Sequence, residues 1–125
     1  MNNILVLVIE DETAILNNIC TILQIYGYNC IKASNGVEGL QQLATNQPHI
    51  ILCDVMMPEM DGFEVLKNVR ENLTTQDIPF CFLSARADVV DIDFGLSIGA
   101  NAYFTKPFAA KDLIETVRML VKSTL

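Results

Sequence analysis

The sequence predicts an α/β fold: one parallel sheet of five strands, with helices packed on both of its faces. Two observations carry that prediction. First, five short apolar or β-branched runs alternate with longer stretches of helical period. Such alternation is the pattern of a parallel sheet enclosed between helix layers. Second, chemically distinctive residues follow four of the five runs: Glu10-Asp11-Glu12, Asp54, Ser84 and Lys106. Right-handed crossovers carry every strand-to-helix loop to the same sheet edge, and ligands of such sheets bind outside the carboxyl ends of the strands.

The first strand, Ile4–Ile9, ends on Glu10 and Asp11. In the helix that follows, Ile15, Ile19, Ile22, Leu23 and Tyr26 recur at helical spacing, with Asn17, Asn18, Thr21 and Gln24 on the other side. Glu12 reads as a favourable charge at the start of this helix, and Gly27 as its left-handed cap. The second strand, Asn29–Ala33, leads through Ser34-Asn35-Gly36, to which no chemistry is assigned, into a helix from Val37 to Thr45 that closes before Pro48. Gly39 inside that helix costs about 1 kcal/mol relative to Ala, so a close backbone contact is expected there. The third strand, His49–Cys53, contains the run Ile50-Ile51-Leu52-Cys53, reads as buried on both faces, and delivers Asp54 to the point where it stops. Asp61-Gly62 turns the next loop into a helix from Phe63 to Glu71. The fourth strand, Pro79–Leu83, precedes Ser84 and a helix from Asp88 to Ile98, before Gly99. The fifth strand, Ala102–Thr105, precedes Lys106 and a helix from Lys111 to near Lys122, with Leu113, Val117 and Leu120 on one stripe.

The 125 residues suit one domain spanning 1–125, and a chain of that length needs no disulfide or metal staple to fold. With 51% hydrophobic and 18% charged residues, it reads as a compact soluble protein. No apolar run approaches a membrane span, and Met1-Asn2-Asn3 carries no secretory signal. A net charge of −7 argues against nucleic-acid binding. Cys20, Cys30, Cys53 and Cys81 have no C-x-x-C spacing and lie among apolar neighbours. They read as small buried thiols in a reducing cytoplasm. His49, the single histidine, precedes a strand instead of lying on an exposed helix face, which argues against a phosphohistidine.

If the first and third strands are neighbours, about 4.8 Å apart, Glu10, Asp11 and Asp54 crowd one cleft. Two such charges about 4 Å apart repel by about 4 kcal/mol at an effective dielectric near 20. A divalent cation removes that repulsion, and an all-oxygen donor set suits Mg²⁺ or Mn²⁺. Lys106 offers a compact positive charge and Ser84 a hydroxyl, both suited to phosphoryl oxygens. The chemistry that fits is attack of a carboxylate on phosphorus, giving an aspartyl phosphate.

Four segments together resemble the receiver domains of two-component response regulators. They are Ile9-Glu10-Asp11-Glu12, Asp54-Val55-Met56-Met57-Pro58-Glu59-Met60-Asp61-Gly62, Leu83-Ser84-Ala85 and Tyr103-Phe104-Thr105-Lys106-Pro107-Phe108. The resemblance covers essentially the whole chain. It implies the flavodoxin-like, doubly wound (βα)5 fold with strand order 2-1-3-4-5, the order of the chemotaxis receiver. It also implies that Asp54 accepts a phosphoryl group from a sensor histidine kinase or a phosphotransfer protein. By the same resemblance, Asp11, Asp54 and the backbone carbonyl of Met56 bind Mg²⁺, with Glu10 assisting directly or through water. Lys106 neutralises a phosphoryl oxygen, Ser84 is the switch hydroxyl, Tyr103 is the aromatic switch, and the Lys106-Pro107 bond is cis.

The implied response draws Ser84 toward the phosphoryl group, turns Tyr103 inward, and alters the surface of helix four, strand five and helix five as a population shift. Met56 and Arg86, two residues after Asp54 and Ser84, flank the site and imply slow self-dephosphorylation. Val89, Val90, Ile92 and Phe94 exceed what one buried stripe uses, which suggests a surface for an effector or a homodimer. Two rival readings are a Mg²⁺-dependent phosphohydrolase like the haloacid dehalogenases and a phosphorylation-independent adaptor. Met56 stands where the former family places a second Asp, and the full set of Asp11, Asp54, Ser84 and Lys106 speaks against the latter. The chain ends at Lys122-Ser123-Thr124-Leu125, after the fifth helix, as expected of either a standalone regulator or the first part of a longer one.

Overall fold

The computed structural model describes the backbone of residues 3–124 and the side chains of residues 3–122. Met1 and Asn2, read above for a signal, and the terminal Leu125 lie outside the described residues, as do the side chains of Ser123 and Thr124. In chain order the elements are β1 (Leu5–Ile9), α1 (Thr13–Ile25), β2 (Asn29–Ala33), α2 (Gly36–Thr45), β3 (Ile50–Cys53), α3 (Gly62–Glu71), β4 (Phe80–Ser84), α4 (Val89–Ser97), β5 (Ala102–Thr105) and α5 (Ala110–Thr124). All strand pairs are parallel and the order is β2-β1-β3-β4-β5, as the resemblance implied. Val6 lies opposite Ile50 and Ile9 opposite Cys53, so β1 and β3 end side by side.

Alternation along each strand builds two apolar layers. Val6, Val8, Ile50 and Leu52 face α1 and α5 through Leu16, Ile19, Leu23, Leu113 and Val117. Leu7, Ile9, Ile51 and Cys53 face the other way, onto Val65, Leu66 and Val69 of α3. Every residue of β3 and β4 is buried, whereas β5 is half-buried throughout.

Expectations change for α1, for Cys30 and for the end of β4. The stripe that α1 buries is Leu16, Ile19, Cys20 and Leu23; Ile15 and Ile22 are half-buried and Tyr26 is exposed. Both stripes satisfy helical spacing, and packing against the sheet and α5 selects between them. Cys20, Cys53 and Cys81 are buried free thiols, but Cys30, on the edge strand β2, is only half-buried. β4 runs one residue further than expected and contains Ser84. Gly27 does take a positive φ of 90° after α1, and the Lys106-Pro107 peptide is cis.

Side-chain caps fix the starts of α2 and α3 on the functional side of the sheet. Asn35 accepts a hydrogen bond from the Glu38 backbone N–H at 2.7 Å, and Asp61 accepts one from Glu64 at 2.9 Å within a full capping box. Two glycines permit close approaches. A Cβ on Gly39 would collide with Cδ1 of Ile9, so the contact there is to a side chain and not to backbone. A Cβ on Gly62 would overlap the Asp54 carbonyl oxygen and lie 2.9 Å from Cα of Val55. Since backbone cannot turn aside as a side chain can, Gly62→Ala should cost about 2–3 kcal/mol, more than Gly39→Ala. Urea unfolding of the two variants measures the difference.

Candidate functional site

The residues that follow the strands are set by the last rungs of the sheet's hydrogen-bond ladder. The Glu10 N–H donates to the Ala33 carbonyl at 3.0 Å, that of Asp54 to Ile9 at 3.0 Å, and that of Lys106 to Ser84 at 2.7 Å. Glu10, Asp54 and Lys106 therefore start from backbone already fixed by a neighbouring strand. The five-stranded order places β1 and β3 at the centre of the sheet, with Lys106 arriving from β5 past the end of β4.

Glu10, Asp11 and Asp54 each present a carboxylate oxygen, all three within 4.8 Å of one another. Glu10 is 1% exposed and Asp54 6%; Asp11 is the most open of the three. The Lys106 ammonium reaches in from the far side. It donates to Oε1 of Glu10 at 2.6 Å and to Oδ2 of Asp54 at 3.4 Å. The other oxygens are held by backbone: the Glu12 N–H donates to Oε2 of Glu10 at 3.1 Å, and the Met56 N–H to Oδ1 of Asp54 at 3.3 Å. A cavity of about 390 Å³ opens in front, walled by Glu12, Ile15, Asp54, Met56, Ala85 and Lys106.

Burial pushes the Glu10 carboxyl up to about 7, against the opposing pull of Lys106 and the Glu12 N–H. Burial also works against the Lys106 ammonium, but Glu10 and Asp54 outweigh it and hold that group above the ordinary lysine range. One ammonium among three carboxylates leaves the cleft short of positive charge. A hard divalent cation fits that shortfall, because the donors are all oxygen and the adjoining cavity leaves room for water or phosphoryl oxygens.

Ser84 is fully buried beside the cleft, and its Oγ accepts from the Arg86 N–H at 3.1 Å. The Tyr103 hydroxyl donates to the Arg86 carbonyl at 2.9 Å, and its half-buried ring lies 5.6 Å from that of Phe82. The two expected switch residues thus grip one loop residue from both sides. The Arg86 guanidinium itself turns to Asp91 of α4, at 3.7 Å, and Met56 stands 55% exposed at the rim. Glu12 contributes its backbone N–H and a cavity wall, not a place among the three clustered carboxylates. His49 lies at the opposite sheet edge, where Nδ1 accepts from the Leu5 N–H at 3.0 Å. Sequence reasoning assigned Lys106 to phosphoryl oxygens and missed its short bond to Glu10. The i-to-i+96 separation of that pair leaves no local signal.

Comparison with known proteins agrees with this geometry. The sequence profile described as "Response regulator receiver domain" matches residues 6–118. Response regulator MprA of a Mycobacterium species is 38% identical over 119 residues, which is 95% of this chain and 51% of that protein. The chain thus spans about half the length of the curated relatives it matches. Among solved structures, the receiver domain of Francisella response regulator 1452 superposes with a TM-score of 0.92 at 35% identity, over 98% of this chain and 100% of that one. A chemotaxis protein of Vibrio cholerae gives 0.89 at 28% identity, over 95% and 99%. Because the profile runs from Val6 in β1 to Arg118 in α5, it takes in every strand end that builds the cleft, and the chain belongs to the response regulator receiver domain family.

Proposed function

We propose that the chain, acting as one domain, is a phosphoacceptor switch. Asp54 takes a phosphoryl group from the phosphohistidine of a histidine kinase or phosphotransfer protein, and the α4-β5-α5 surface reports the change. The observation that carries this reading is the setting of Asp54. It is a nearly buried carboxylate at a strand end, facing a cavity, with an ammonium 3.4 Å from one of its oxygens. In the transfer, an Asp54 oxygen forms a bond to phosphorus while the bond from phosphorus to the donor imidazole nitrogen breaks. The imidazole keeps that electron pair.

Lys106 exchanges its long contact with the carboxylate for a phosphoryl oxygen, and Glu10 keeps the ammonium aimed into the cleft throughout. Asp11, Asp54 and the Met56 carbonyl would hold Mg²⁺, or Mn²⁺ in its place, with Glu10 assisting directly or through water. Once bound, the ion supplies charge neutralisation at the phosphoryl oxygens. The Ser84 hydroxyl then turns to the phosphoryl group, the Arg86 loop follows it, and Tyr103 gives up its bond to the Arg86 carbonyl.

Val89, Val90 and Phe94 are 71%, 78% and 44% exposed and supply the apolar part of a surface for an effector or a second copy. The domain assists its own phosphorylation and dephosphorylation, turns over no external substrate, and works in the cytoplasm without direct nucleic-acid or membrane contact. Met56 at the rim keeps self-dephosphorylation slow, and Arg86 adds to that shield when its guanidinium leaves Asp91.

Incubation with Mg²⁺ and acetyl phosphate should give one stable phosphoryl adduct by intact mass, absent in Asp54→Asn. Continuous phosphate release would instead indicate a phosphohydrolase, and no reaction an adaptor. Lys106→Ala should slow formation of the adduct by about 100-fold, the scale of losing one charge-stabilising donor. Magnesium at about 100 times its Kd should stabilise the wild type by about 2.7 kcal/mol, and Asp11→Asn should remove most of that gain in thermal unfolding.

A further inference from the structure

At the opposite edge of the sheet, Arg70 in the last turn of α3 spends all five of its N–H groups on identified acceptors. Nε donates to the Gly99 carbonyl at 3.1 Å, and Nη2 to the same oxygen at 2.8 Å and to Oδ1 of Asn101 at 3.1 Å. Nη1 donates to the carbonyls of Gln76 at 3.0 Å and Ile78 at 2.7 Å. Asn101 extends the clasp into the sheet: its Oδ1 accepts from the Phe80 N–H at 2.9 Å, and its own N–H donates to the Phe80 carbonyl at 2.8 Å. Gly99 takes a φ of +115°, and a Cβ there would stand 3.1 Å from Nε of Arg70. Only glycine gives the guanidinium this approach without strain. α4 has no basic residue in its last turn, so Arg70 of α3 supplies the cation that favours the helix's carbonyl end.

The other end of α4 is built differently. Asp88 occupies the N-cap position but makes no side-chain cap bond, and residues 85–90 are all exposed. The whole helix buries only Gly95. Its near end is tied to the rest through Arg86, by the 3.7 Å ion pair to Asp91 and the bonds from Arg86 backbone to Ser84 and Tyr103. Those last two bonds belong to the residues assigned above to the switch.

We propose that the Arg70–Gly99–Asn101 clasp is the fixed pivot of α4, about which the helix swings when its Arg86 end is released. Arg70 is then a positioning residue of the switch: it confines movement to the N-terminal half of α4 and keeps the start of β5 in register with β4. This rests on the reading of Asp54 as phosphoacceptor and of α4 as part of the readout.

Amide hydrogen exchange on the intact chain, with and without Mg²⁺ and beryllofluoride as the phosphoryl mimic, tests it in wild type, Arg70→Lys and Asn101→Ala. Lysine keeps the charge but cannot span the five bonds. In wild type the mimic should change exchange by about tenfold at residues 86–93 while leaving 97–101 within about twofold. In both variants the change should spread to 97–101, with the amides of β1 and β3 still protected as in wild type. An equal response of both ends in wild type, or a wild-type pattern in both variants, overturns the pivot. Failure of the Asp54 reading appears separately, as no response to the mimic anywhere. The clasp is then judged without the mimic: Arg70→Lys must speed exchange at 97–101 by about tenfold while sparing β1 and β3, and uniform exchange across the chain refutes it.

Discussion

Two carboxylates that water hardly reaches, Glu10 and Asp54, share one ammonium, that of Lys106. Removing charges from water costs several kcal/mol per ion even after the surroundings relax, so this cluster exists only because the scaffold imposes it. The imposition comes from the ladder. Asp54 is bonded through its backbone to Ile9, Glu10 to Ala33, and Lys106 to Ser84, so the acids and the lysine cannot separate without breaking the ends of three strand pairs. The price of that arrangement is carried by β1, β3 and β4, whose burial is nearly complete. The cleft is thus poor in positive charge and rigid in backbone, which is the setting the proposed cation and phosphoryl group would meet.

Rigidity is not spread evenly. β1 and β3 lie in the middle of the sheet between two apolar layers, whereas β5 is half-buried and α4 rests on the sheet through one buried glycine. Elements with few buried apolar contacts open first. Lys106 bridges the two regimes, since it leaves the soft edge strand and ends in the hard acidic centre. Under the proposed switch, a charge change at Asp54 would reach β5 through its direct contact with Lys106, and α4 through the Arg86 loop that Ser84 and Tyr103 hold between them.

The sequence made the acids legible because each ends an apolar run, and the alternation of runs identified the parallel sheet. The strand order came from the family resemblance, since periodicity does not say which strands are neighbours. Local chemistry was readable where its parts lie within four residues, as in the Asp61-to-Glu64 capping box. What escaped was long-range. The Glu10–Lys106 bond spans 96 positions and the Arg70–Gly99 bonds 29, and neither arginine nor glycine announces such a partner. The buried stripe of α1 was misplaced for another reason: Ile15, Leu16, Ile19, Cys20, Ile22 and Leu23 allow two overlapping apolar faces, and the facing layer makes the choice.

The pattern of bond lengths divides the work between the two buried acids. Glu10 is engaged at both oxygens, at 2.6 Å by Lys106 and at 3.1 Å by the Glu12 N–H. Its extra methylene, relative to an aspartate, carries the carboxylate far enough to hold the lysine while the chain turns back on itself. Asp54 accepts only at 3.3 and 3.4 Å, and charge-assisted bonds of ordinary strength are shorter by several tenths of an ångström. Its lone pairs are therefore less committed, and of the two it is the one that walls the open cavity. A carboxylate that binds its neighbours weakly and meets the open space is the better nucleophile, and one that is saturated and enclosed is the better anchor. In the proposed transfer, this geometry would suit Asp54 to the reaction and Glu10 to keeping Lys106 within reach of it.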